Sequence, residues 1–171
     1  MATCTVVRSV MVATLTMAFC MNGPLARADD GALEKFLGRW DVRVKTRQPP
    51  KPDLTYIETY EWVLRRQFLR ATTERKSDGT EDIIIAGYDP QTKGYPFWVF
   101  SSTGAYVYLA PGIWDARNRV IEWKNPPQWD ISYRGRCIFP DENTRHCTLI
   151  MKDWKGKVLL EQESSAVRRS D

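Results

Sequence analysis

Apolar and polar residues follow two different periods in this chain, and the change falls at Gly38. Leu33, Phe36 and Leu37 stand at the three- and four-residue spacing of a helix face. From Trp40 the period is two: Trp40, Val42 and Val44 alternate with Asp41, Arg43 and Lys45, as on a half-buried strand. A short apolar helix that stops at a glycine and feeds a tryptophan-headed strand is a way to plug one end of a β-barrel. The aspartates Asp29 and Asp30 precede the helix, where a carboxylate caps the first amides.

The alternation continues to the C-terminus. Gln48-Pro49-Pro50-Lys51-Pro52-Asp53 ends the first strand, because prolines cannot donate to a ladder. Thr55 to Leu64 resumes with Tyr56, Tyr60, Trp62 and Leu64 on one face, interrupted by Glu58. Phe68 to Arg75 is its hairpin partner, and Ser77-Asp78-Gly79-Thr80 the next turn. Glu81 to Tyr88 contains Ile83-Ile84-Ile85, apolar on both faces, so one of its faces is expected to lie against the helix or another sheet. Tyr95 to Phe100, Tyr106 to Ala110, Ile113 to Asp115 and Arg119 to Lys124 follow, with Pro111-Gly112 read as a turn. Trp129 to Phe139 places Ile131, Tyr133, Cys137 and Phe139 on one side, with Gly135 at a bend. Arg145 to Asp153 returns with Cys147, Leu149 and Met151, and Val158 to Val167 is last. About ten short strands with turn signals between them predict an all-β fold, an antiparallel up-and-down barrel with a short N-terminal helix.

The first residues read as an address and not as fold. Arg8, an uncharged run from Val10 to Cys20 and the small-x-small triplet Ala26-Arg27-Ala28 predict a signal peptide over residues 1–28. Phe19 before Cys20 disfavours a lipid anchor, and the apolar run is short of the roughly 20 residues a spanning helix needs. Residues 29–171 then form a single domain, exported to the periplasm or beyond. Cleavage removes Arg8 and Arg27 and no acid, so the formal +4 of the whole chain falls to +2. So small an excess points to neither nucleic acid nor an anionic membrane as partner.

Candidate chemistry is sparse. Cys137 and Cys147 fall on the apolar faces of adjacent strands, equidistant from the turn at Glu142, and an oxidising compartment makes a disulfide between them the default. His146, the single histidine, faces away from that side, and no serine stands in a nucleophile-elbow context. One histidine and two oxidised cysteines leave no zinc site, and no metal or cofactor is implied. Glu58, on an aromatic face, and Glu122, between Ile121 and Trp123, are the carboxylates that a barrel interior would turn into an acid or a ligand anchor. The aromatic residues serve either as core or as the lining of a cavity for an apolar or aromatic ligand.

Phe36-Leu37-Gly38-Arg39-Trp40 resembles the Gly-x-Trp entry of the lipocalin-like, or calycin, barrels. With Gly87-Tyr88-Asp89-Pro90 and Lys93-Gly94-Tyr95 the chain most resembles the exported bacterial domain-of-unknown-function 1579 family. The resemblance implies an antiparallel barrel with an internal pocket, and a basic residue near the end, here Arg168, packed over the tryptophan. The reading that follows is an exported binding barrel for a small apolar or amphipathic molecule, held among Tyr60, Trp62, Trp98, Tyr106 and Trp123 with Glu58 as polar anchor. Two alternatives stand beside it: a cell-envelope enzyme using a buried carboxylate, and a structural or interaction barrel with a filled interior.

Overall fold

The alternating segments become the strands of a closed antiparallel barrel, with Tyr106 to Ala110 and Ile113 to Asp115 joined into one. The computed structural model describes residues 31–125 and 130–170. The signal segment, Asp29, Asp30, Pro126-Pro127 and the expected strand start at Trp129 lie outside the described residues. The strands are β1 (Gly38–Gln48), β2 (Leu54–Val63), β3 (Phe68–Thr73), β4 (Asp82–Gly87), β5 (Tyr95–Ser101), β6 (Tyr106–Asp115), β7 (Val120–Lys124), β8 (Ser132–Ile138), β9 (Thr144–Lys152) and β10 (Val158–Arg168). Each pairs with its sequence neighbours, and β10 returns to β1, so the sheet closes on itself.

The expected N-terminal helix is a single 3-10 turn, Leu33–Phe36. Leu37 already has ψ 150° and no side chain caps the turn, so only four residues are available and an α-helix has no room to form. The turn still plugs the barrel. Leu33 and Phe36 are buried, and the Phe36 ring lies 4.9 Å from that of Phe139 and 5.5 Å from those of Tyr60 and Phe97.

Arg168 locks the plug to the first strand, as the family resemblance implied. Its guanidinium lies 4.3 Å from the Trp40 ring centroid, donates from Nε to the Glu142 carbonyl at 2.9 Å and from Nη2 to the Lys35 carbonyl at 3.2 Å, and bonds the Leu37 carbonyl through Nη1. Trp40 Nε1 donates to the Phe36 carbonyl at 2.7 Å. Gly38 is required here twice over. Its φ is +95°, and a Cβ on it would stand 2.8 Å from Arg168 Nη1.

Two other expectations change. Pro111-Gly112 is no turn, because β6 runs through it: Tyr95 pairs with Gly112 and Phe97 with Leu109, so β6 carries one extra residue as a bulge, the place in a sheet that tolerates a proline. A Cβ on Gly112 would meet the Trp123 indole at 2.5 Å. The isoleucine run has no second layer behind it among the described residues. Ile84 faces inward, and Ile83 remains 47% exposed on the outside.

Cys137 and Cys147 are directly opposed, with Cα atoms 4.1 Å apart, and form a disulfide on the inner face of β8 and β9. Under the chain-entropy account a loop of this size contributes roughly 2 to 3 kcal/mol. The hairpin already restricts this segment, so the lower end is expected. Cys137→Ser with Cys147→Ser should fold with a lowered melting temperature, which calorimetry would read, and the unreduced mature chain, residues 29–171, should show no reactive thiol when unfolded.

Candidate functional site

The site is the barrel interior above the plug. Alternation turns Val42 and Val44 of β1, Tyr56, Glu58 and Tyr60 of β2, Ile84 of β4, and Phe97 and Val99 of β5 toward one space, closed on the far side by Leu109, Trp123, Leu149 and the disulfide. They enclose a cavity of about 240 Å3 whose wall is mainly apolar. That is below the roughly 300–1,000 Å3 of drug-sized pockets, so it suits a short chain or a single ring system.

An ion pair forms its floor. Arg145 Nη2 lies 2.5 Å from Glu58 Oε2, and both side chains are about 95% buried. The register explains the meeting: Glu58 is the ladder partner of Trp40, and Arg145 pairs with Ala166, two residues before Arg168. The Arg145 guanidinium sits 5.1 to 5.4 Å from the ring centroids of Trp40, Phe36 and Tyr60. Its Nε and Nη1 have no oxygen partner, and these aromatic faces take their place. Burial works against the Arg145 charge, the bonded Glu58 carboxylate works for it, and the pKa of Arg145 stands above the ordinary value. Burial, then the Glu58 charge, pushes the Tyr56 and Tyr60 phenols well above theirs, so both are neutral hydroxyls. A second pair, Lys76 Nζ to Asp82 Oδ2 at 2.5 Å, flanks Tyr56, with the ammonium 5.1 Å from its ring.

Of the residues singled out from sequence, Glu58, Tyr60 and Trp123 line this cavity. Trp62 points inward but lies beyond the floor at the plugged end, half-buried, with the Arg66 guanidinium 5.5 Å from its ring. Trp98 and Tyr106 are on the outer face. Phe97 and Val99 point in, so Trp98 between them points out, where it lies 5.4 Å from the Tyr108 ring; Tyr106 is 74% exposed. The all-apolar run of β5 hid this parity. Glu122 also faces out, paired with Arg136 at 3.0 Å, and His146 is exposed. Arg145 was missed, although the Cys147, Leu149, Met151 series extrapolates to it. Among the described residues no three metal-ligating side chains gather, and no helix is long and apolar enough to cross a membrane.

The family model described as "Protein of unknown function (DUF1579)" matches residues 26–161. The chain belongs to this family. No curated protein matches it. Among solved structures it is similar to Rv2717c from M. tuberculosis, at 18% identity and a TM-score of 0.58, over 86% of this chain and 100% of that one. It is also similar to the S-type phycobiliprotein lyase CPES from Guillardia theta, at 12% identity and a TM-score of 0.49, over 81% of this chain and 91% of that one. The first likeness agrees with the lipocalin-like barrel fold derived from the strand register, and at this identity it speaks for the fold alone.

Two measurements bear on the floor. Arg145→Met leaves Glu58 buried and unpaired, and should lower stability in urea unfolding by about 3–5 kcal/mol; adding Glu58→Gln should recover much of that. Because their folded pKa is raised, Tyr56 and Tyr60 contribute stability that is complete below the ordinary value of 10.0 and fades only as pH rises toward the folded one. In an alkaline absorbance titration both should ionise only as the barrel unfolds.

Proposed function

We propose that this chain is an exported binding protein that holds one small, mainly apolar molecule inside the barrel. The observation that carries the reading is the unfilled interior: a chain with this many aromatic residues had the material to pack the barrel solid, and it leaves about 240 Å3 open with a polar floor. Export is supported by the N-terminal signal pattern and by the disulfide, which an oxidising compartment favours.

The enzymatic alternative draws less support. Glu58 is the buried carboxylate it needs, but Arg145 holds that carboxylate in an ion pair, and His146 is on the outside. A binding role uses the same groups with no further requirement.

Tryptophan fluorescence should report occupancy through Trp123, whose ring borders the cavity. Titration with a panel of short-chain and single-ring compounds should change the emission and saturate at one site. Leu109→Trp, which fills the space from the wall, should abolish saturable binding while the far-ultraviolet circular dichroism stays that of the wild type. A blank panel with wild-type protein, or undiminished binding by the filled variant, would count against an interior site.

A further inference from the structure

The charges around the cavity are arranged in a way that narrows the ligand class. Every charged residue bordering it is paired with an opposite charge: Glu58 with Arg145 at 2.5 Å, Asp82 with Lys76 at 2.5 Å, Arg136 with Glu122 at 3.0 Å, and Glu163 with Arg47 at 2.8 Å. The two pairs nearest the apolar space are also the two most buried, at 5% and 4% side-chain exposure for Arg145 and Glu58, and 10% and 16% for Lys76 and Asp82. The interior therefore offers no net charge. The other polar groups around it are uncharged: the hydroxyls of Tyr56, Tyr60, Thr148 and Ser164, and the Gln162 carboxamide, which donates to Thr46 Oγ1 at 3.1 Å.

We infer that Glu58 sets the charge selectivity of this cavity: by neutralising Arg145 it makes the interior a site for an uncharged molecule with a hydroxyl, amide or ester head, and excludes the carboxylate built on the same skeleton. The inference rests on the binding reading above and goes past it to the ligand class and the residue that decides it. A buried arginine alone would be a carboxylate receptor, since guanidinium and carboxylate match in charge and geometry. Here that place is already taken by a carboxylate of the chain itself. An incoming acid would have to give up its hydration beside Glu58, in a medium where like charges repel far more strongly than in water. An alcohol or amide brings no ion to desolvate.

The test compares 3-phenylpropanol, 3-phenylpropanamide and 3-phenylpropanoate, matched in size and differing in head group, by calorimetric titration at pH 7.5 against the mature chain. The alcohol and the amide should bind wild type at least ten-fold more tightly than the carboxylate. In Glu58→Gln the order should reverse, with the carboxylate gaining more than the wild-type gap and that gain shrinking as salt is added, because Arg145 is then uncompensated. Glu61→Gln, which removes a carboxylate paired with Arg70 on the outer surface and away from the cavity, should leave the wild-type order unchanged. Carboxylate binding to wild type as tight as the amide's, or no gain for it in a folded Glu58→Gln, would overturn the inference while leaving an interior site intact. If Glu58→Gln does not fold, the wild-type order decides, and Glu58→Gln with Arg145→Met should keep the preference for the neutral probes. Failure of all three to bind, with the broader panel also blank, would remove both readings.

Discussion

The barrel depends on β1 being paired on both sides. Its partners are β2 and β10, so the first and last strands of the domain close the sheet on each other. Closure gives every strand two neighbours. It also fixes which residues meet at the plugged end. Trp40 stands in the ladder between Arg168 and Glu58, and from that position its ring lies within 5.1 Å of two guanidinium groups, those of Arg168 and Arg145. The 3-10 turn is held by the same group, since Arg168 bonds the carbonyls of Lys35 and Leu37. Plug, first strand and last strand are one mechanical unit.

The floor of the cavity is a consequence of that unit. Glu58 and Arg145 are 87 residues apart and meet only because the closed register sets them on either side of Trp40. A buried ion pair is costly to desolvate, and an apolar pair of similar volume often gives an equally stable core. Its presence at the base of an open, apolar space is thus better read as chemistry presented to that space than as a source of stability. The aromatic faces around Arg145 keep its charge in place where oxygen partners are lacking.

The outer surface tells the complementary story. Ile83, Phe100 and Tyr106 form one cross-strand row, and Ile85, Trp98 and Tyr108 the next, on a face that nothing covers among the described residues. Aromatic and β-branched neighbours across strands stabilise a sheet without being buried in a core. Composition therefore overstated the interior: a good part of the apolar inventory of β4, β5 and β6 is on the outside.

What the sequence determined by itself is whatever depends on local pattern. Alternation within each segment is a property of the strand alone, so the all-β class, the strands other than the join within β6, and the pairing of Cys137 with Cys147 across one hairpin were legible, as was the face that Glu58 shares with Tyr60. Where the pattern was ambiguous, the reading drifted. Tyr95 to Phe100 is apolar at every position, and only the register with β4 and β6 shows that Trp98 points out. Pro111-Gly112 has the composition of a turn, and only the register with β5 shows it to lie at a bulge within β6. The tertiary structure alone decided that Arg145 faces Glu58 and that the interior is left open. Both follow from how strands far apart in sequence are staggered when the barrel closes, and no residue carries a local sign of a partner that it meets only through closure.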